Sequence, residues 1–294
     1  MVETVFEYGF EVAGTGVLQK TEKMNSISDR FRPFLKDSHF QSDYEAVFHQ
    51  VEQLPDQPEE WLWREEAVDV GEFLSGQYYR RFRDVMQNGQ VYAVGRYDWD
   101  RKHIDIAYLA DGEGHLNQSD NCFFHIAWET IMQLENRMIL HACAVDTAFG
   151  GILFSGKSGI GKSTQGTLWC EYEGARLVNG DRPLIRKEND VWYAYGAPYA
   201  GSSKCHRNIK SPVRAVVLLK QDSQCSIRRL RGMEAFRGVY EGMTISSWNL
   251  RCVENCCDLA LALVTEIPVY EMACTPDRQA VALLKKTLLT EVIS

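Results

Sequence analysis

The sequence predicts a mixed α/β protein in two parts. An antiparallel β-rich stretch over residues 1–120 is followed by a phosphate-loop domain with a mixed sheet over residues 121–294. Three observations carry this expectation. Gly156 to Ser163 fits G-x-x-x-x-G-K-[ST], set between a short apolar run and a helical stretch. The strand before the loop is entered from another strand through a tight turn at 146–150, which favours an antiparallel neighbour over a doubly wound parallel sheet. Up to Leu109 the chain shows runs of period-two alternation separated by turn residues.

In chain order, residues 1–12 alternate (Val5, Tyr8, Phe10, Val12) and predict a strand. Residues 14–38 hold Gly14, Gly16 and Pro33 and predict a loop. Alternation returns over 42–52, and Leu54–Glu60 with its two prolines predicts a turn. Trp61, Trp63 and Val68 predict a further strand. Tyr78–Met86, Val91–Trp99 and His103–Leu109 predict three more, with Asn88-Gly89 and the 98–102 cluster as hairpin turns. The expected sheet has five or six strands, and its edges offer a docking surface for a peptide by strand addition. Phe124, Ala127, Trp128, Ile131 and Leu134 share one face of a helix predicted over 123–134.

Arg137–Val145 predicts a strand, Gly151–Ser155 the strand of the phosphate loop, and 163–172 its helix. Ala175–Asp181 predicts a short strand ending in an acid. Val191–Tyr195 and Val213–Leu219 predict strands around the turn-rich 196–201, and Ser247–Val264 a helix. Pro268–Cys274 predicts a last strand, and Thr275 caps a final helix with Pro276 in its first turn.

Composition narrows the function classes. With 294 residues and a 45% apolar fraction the chain can build a large core. A net charge of −8 argues against a general nucleic-acid binder. Residues 1–140 carry 13 basic and 25 acidic side chains, a net −12, and residues 141–294 carry 19 and 15, a net +4. The positive half thus holds the anion-binding motif. The absence of a basic-then-apolar start and of any long uncharged apolar run points away from export and from a membrane. Nine cysteines without a regular framework suit a reducing, cytoplasmic setting.

The chemistry centres on the loop. Gly156, Gly159 and Gly161 let the backbone turn tightly and present its N–H groups, with those of Lys157, Ser158, Ile160 and Thr164, to phosphate oxygens. Lys162 supplies a point charge for the β- and γ-phosphates, and Ser163 a hydroxyl for Mg²⁺. ATP with Mg²⁺ is therefore the expected ligand. Asp181 lies 18 residues past Ser163, one helix and one strand on, where a carboxylate could hold Mg²⁺ or accept a hydroxyl proton. A turn aspartate in Asn-Gly-Asp-Arg-Pro is the alternative. His141, in the preceding strand, reads by pattern as a buried core histidine. Cys252, Cys256 and Cys257 form a partial cluster without a second pair at zinc spacing, so packing on one helix face is expected. Lys204 and Arg207 in a basic loop could neutralise a transferred phosphate or be solvated.

These residues resemble the catalytic domain of HPr kinase/phosphorylase, whose core has the phosphoenolpyruvate-carboxykinase fold. In that family a histidine precedes the first loop glycine by fifteen residues, as His141 precedes Gly156. The family continues through Ser-Gly-Ile-Gly-Lys-Ser, a helix, an Arg-Leu-Val strand and Asp-Asp-Arg. Here these are Ser158–Ser163, the helix, Arg176–Val178 and Gly180-Asp181-Arg182. Thr164 stands where the family has a glutamate after the loop serine, and Gly180 where it has its first aspartate. His141-Ala142, Asn179–Asp181, Tyr195–Pro198 and Cys274–Asp277 are similar to relatives found with ribosomal peptide-modification pathways. The resemblance implies a kinase with His141, Lys162 and Asp181 as catalytic residues and Ser163 and Asp181 as metal ligands. It implies transfer of the γ-phosphoryl of ATP to a serine or threonine of a small protein or precursor peptide. A non-catalytic ATP-binding scaffold and a nucleotide-hydrolysing assembly protein stay open as alternatives, as does self-association into a homo-oligomer.

Overall fold

The computed structural model describes residues 5–290 except 24–25, 38, 59, 74–75 and 118. The chain divides into two compact units, Met1–Trp128 and Glu129–Ser294, and each builds its own mixed sheet.

The first unit opens with a hairpin of β1 (Phe6–Val12) and β2 (Thr15–Thr21). Its two turn residues, Ala13 and Gly14, sit at φ +50° and +68°, the backbone a two-residue hairpin turn requires. Strand β2 lies in the stretch expected to be a loop. It lacks alternation because it is buried on most of both faces, and the Phe40 ring occupies the space above Gly9 and Gly16. A Cβ at Gly16 would come 2.7 Å from that ring. There follow β3 (Leu35–Lys36), β4 (Tyr44–Gln50), β5 (Trp61–Arg64), β6 (Val68–Glu72), β7 (Tyr78–Asp84), β8 (Gln90–Asp98) and β9 (His103–Tyr108). The order across the sheet is β3-β1-β2-β4-β9-β8-β7-β6-β5.

This sheet is mixed rather than antiparallel, because β4 runs parallel to both β2 and β9. Alternation reports which face a residue takes, not the direction of the neighbouring strand. Antiparallel pairing holds for β1 with β2 and β3 and along β5 to β9, where the β7–β8 and β8–β9 turns are the ones read from the sequence. The core gathers Phe10, Phe31 and Phe123 edge to face, with Phe31 and Phe123 centroids 4.3 Å apart. A fully buried Asp69 on β6 accepts from Arg81 and Arg83 of β7, with Arg81 Nε at 2.9 Å. The Arg81 guanidinium also lies over the Trp61 ring.

The single helix expected over 123–134 is two, α1 (Ser119–His125) and α2 (Trp128–Leu134). Ala127 between them takes φ +55°, outside the right-handed helical region, which breaks the helix there. Phe124, counted in the apolar face, is exposed.

The second unit continues with β10 (Met138–Ile139), β11 (Ala142–Thr147), β12 (Gly150–Ser155), α3 (Lys162–Glu173) and β13 (Arg176–Asn179). Then come β14 (Leu184–Glu188), β15 (Val191–Tyr195), β16 (Lys210–Gln221), β17 (Ser226–Leu230), α4 (Gly232–Tyr240), α5 (Leu250–Glu266), β18 (Val269–Cys274) and α6 (Arg278–Thr290). The sheet runs β10-β14-β15-β16-β12-β11-β13, with β18 between β16 and β17 on a second branch. As expected, β11 and β12 are an antiparallel pair, so the unit is not a doubly wound parallel sheet. Strand β12 is parallel to β16, and β16 to β18.

Two apolar clusters cover this sheet. One packs Leu140, Leu153, Val216 and Val178 against Val239 of α4 and Leu263 of α5. The other packs Phe154, Val217 and Met272 against Trp169 of α3 and Leu284 of α6. Cys252 and Cys256 are fully buried on one face of α5, whose N-cap is Asn249. The final helix is capped by Asp277, not Thr275. Asp277 Oδ1 accepts from Gln279 N at 2.8 Å, while Thr275 donates its hydroxyl to Asp277 Oδ2. Strands β14 and β17 and helix α4 went unforeseen, being short or too polar to show a period.

Candidate functional site

The phosphate-loop strand is fixed first. Ile152, Leu153 and Phe154 of β12 are all fully buried, held between β11 and β16. The chain leaves the sheet at Gly156 and re-enters regular structure at Lys162, the first residue of α3. Gly156, Gly159 and Gly161 take φ +140°, +75° and +112°, a left-handed sequence that side chains resist. A Cβ at Gly159 or Gly161 would meet nothing within 4 Å, so the concave side of the loop faces open space. No side chain caps α3 at Gly161, which presents the helix N-terminus and its positive dipole end to that space. Lys157, Ser158, Ser163 and Thr164 are exposed around it, while Ile160 packs into the core beneath.

Lys162 is only 7% exposed. Its ammonium folds back over the loop and donates to the carbonyls of Gly156 at 2.9 Å and Lys157 at 3.0 Å. Burial pushes its pKa down, and the charge of Asp181 opposes that. A charged lysine over an open, glycine-lined cradle fits a polyphosphate. An exposed Ser163 hydroxyl and the Asp181 carboxylate are oxygen donors of the kind Mg²⁺ takes alongside phosphate and water.

Asp181 reaches this end of the sheet through a turn built by Asn179. The buried Asn179 Oδ1 accepts from the backbone N–H of Asp181 at 2.9 Å and of Arg182 at 2.8 Å, and its Nδ2 donates to Tyr199 O at 2.8 Å. Gly180 inside the turn is pressed against the 200–203 segment. A Cβ there would fall 2.2 Å from Ser203 Oγ and 3.2 Å from Ala200 O. That packing leaves no room for a side chain at 180 unless Ser203 moves.

His141 is not a core histidine. It lies between β10 and β11 with its side chain about one third exposed, so the single strand expected over 137–145 is interrupted there. Its backbone N–H donates to Gly242 O at 2.7 Å, and its carbonyl accepts from Ser155 Oγ at 3.0 Å. The adjacent Ala142 N–H donates to Asp181 O at 2.9 Å. So held, His141 Nδ1 stands 3.2 Å from Asp181 Oδ1. Burial and the nearby Lys162 charge push the imidazole pKa below its ordinary value, against the pull of Asp181. The ring is therefore neutral near pH 7 and meets the carboxylate as a hydrogen-bonding partner.

The structure thus brings Lys162, His141 and Asp181 within electrostatic reach of one another at one end of the sheet. It adds Arg182, which is 3.9 Å from Asp181 Oδ2 and pairs with Glu129 Oε1 at 2.8 Å. Besides Lys162, the basic side chain whose charge acts on His141 is Arg182, not Lys204 or Arg207. Arg207 donates instead to Leu177 O at 3.4 Å. Sequence reasoning missed Asn179, Arg182 and Glu129 as parts of the site. An asparagine two residues before an acid is a turn signal that could have flagged the first. Nothing in the sequence links Glu129 to Arg182 across 53 residues.

No family model matches the chain, and no curated protein matches it significantly. Among solved structures, the chain is similar to the Hpr(Ser) kinase/phosphatase from Coxiella burnetii. The two share 17% identity over 52% of this chain and 88% of that one, with a TM-score of 0.31, a superposition too loose to carry an argument about what this chain does.

Proposed function

We propose that this chain is a phosphotransferase that moves the γ-phosphoryl of ATP to a hydroxyl, most simply a serine or threonine of a small protein or precursor peptide. The observation that carries the reading is the His141–Asp181 contact of 3.2 Å at the same sheet end as the Lys162-bearing loop. A bare nucleotide-binding scaffold has no need of a carboxylate held against a neutral imidazole there.

The chain's own groups divide the work. The loop N–H groups and Lys162 bind and neutralise phosphate, which is most of what phosphoryl transfer asks of a protein. Asp181 accepts the proton of the acceptor hydroxyl at a carboxylate oxygen. His141 orients that carboxylate through Nδ1. Mg²⁺, held by Ser163 and Asp181, would supply charge neutralisation on the nucleotide. The acceptor peptide docks on the first unit by adding a strand at the β5 edge, where Leu62 and Trp63 are exposed.

Incubation of the chain with γ-labelled ATP, Mg²⁺ and candidate peptides tests the reading by mass spectrometry. A gain of about 80 Da on a peptide hydroxyl, the mass of one phosphoryl group, is expected to depend on Asp181 and Lys162. Tight ATP binding with neither a phosphorylated product nor any hydrolysis would leave the scaffold reading in its place.

A further inference from the structure

Strands β12, β16 and β18 run parallel, so their C-terminal ends share one edge of the sheet. In open α/β sheets ligands lie beyond the carboxyl ends of such strands. The phosphate loop leaves β12 in the middle of this edge. On one flank His141 stands just before β11 and Asp181 just after β13. On the other flank, beyond β16 and β18, a cavity of about 480 Å³ opens against the loop residues Gly159–Gly161. Its walls include Thr164, Gln165, Leu219, Asp222, Cys274 and Thr275.

We infer that this cavity takes the nucleoside, base and ribose together, of the phosphoryl donor. The triphosphate then lies across Gly156–Thr164, with its reacting end toward Asp181 and its nucleoside over the ends of β16 and β18. The inference deepens the phosphotransferase reading and rests on it. It makes the donor a nucleoside triphosphate rather than pyrophosphate or an inorganic polyphosphate.

Several features support it. The volume falls within the range of small-molecule sites, about 300–1,000 Å³. Leu219 and Cys274 give the walls an apolar part for a flat base, and Asp222 and Thr275 offer oxygens to ribose or amino donors. Gln165 is 2% exposed, and its Nε2 lies 3.4 Å from Cys274 Sγ while its Oε1 has no hydrogen-bond partner among the described residues. A buried amide oxygen left without a donor is a cost that the fold alone does not account for. Gln221 at the end of β16 donates to Gly159 O at 3.4 Å, which ties the cavity wall to the phosphate loop.

Titration calorimetry of the full chain with Mg-ATP and with Mg-tripolyphosphate tests this. The native chain should bind ATP at least about tenfold more tightly than tripolyphosphate. Asp222→Leu changes an exposed wall position whose carboxylate accepts from its neighbours Ser223 and Gln224. It should weaken ATP by about tenfold and leave tripolyphosphate binding no weaker, which also shows that the variant is folded. Equal affinity of the native chain for the two ligands overturns the nucleoside site and leaves the phosphate site standing. Failure to bind either ligand overturns the phosphotransferase reading, and this inference with it.

Discussion

Asn179 holds Asp181 in place by a single side-chain oxygen, which accepts the Asp181 backbone N–H at 2.9 Å from a fully buried position. The same oxygen takes the N–H of Arg182, and the amide nitrogen is used on Tyr199 O. Asn179→Ala would strand all three backbone groups. A loss of about 2–4 kcal/mol in denaturant titration is expected, from three hydrogen bonds at roughly 1 kcal/mol each. Any residual phosphoryl transfer should fall further than stability does, because Asp181 would lose its position.

Asp181→Asn keeps the shape of the site and removes the proton acceptor. Transfer should drop on the order of 10²-fold or more. Lys162→Ala should show the converse emphasis, with ATP affinity lost first. Native-rate transfer by Asp181→Asn in a single-turnover assay would remove Asp181 from the role of base.

Substitution at Gly180 tests how tightly the turn that places Asp181 is packed. Gly180→Asp should not improve the reaction, because its Cβ would collide with Ser203 and the Ala200 carbonyl. A destabilisation of about 1–3 kcal/mol is expected, the usual range for overpacking. Pairing it with Ser203→Gly should return part of that stability in the same thermal melt.

Stability near the site should depend on pH in a definite direction. The His141 pKa is depressed in the folded protein below its ordinary 6.5. The unfolded chain therefore binds more protons between that lowered value and 6.5, and stability falls as pH drops through this window. His141→Gln should flatten the profile there. His49 has the opposite sign, since Asp105 raises its pKa, and its contribution is lost as pH rises above 6.5. Urea titrations of each variant across this range separate the two.

In the first unit, Asp69 balances Arg81 and Arg83 from a position with no solvent exposure. Asp69→Ala leaves two guanidinium groups facing each other over an empty site. A loss of about 3–5 kcal/mol is expected, as for a broken buried ion pair, read as an early melting transition by circular dichroism.

Local chemistry is what the sequence settled by itself. The glycines at 156, 159 and 161, the lysine after them and the apolar run before them specify a turn that few residue types can make, so the loop and its strand and helix were legible directly. The β11–β12 hairpin was legible for the same reason, since its turn is short and its partners adjacent. Long-range pairing was left to tertiary structure. Strand β4 runs parallel to both β2 and β9, strands distant from it in the chain or joined to it by a long connection, and alternation carries no record of it. His141 looked like a core residue because its neighbours are apolar. Its exposure follows from the break between β10 and β11, which the contacts with Gly242 and Ser155 impose from distant parts of the chain. The Arg182–Glu129 pair and the cavity at the ends of β16 and β18 likewise exist only once strands far apart in sequence lie side by side. Backbone turns are encoded by the few residues that make them, whereas a site is encoded by the sheet order that brings those residues together.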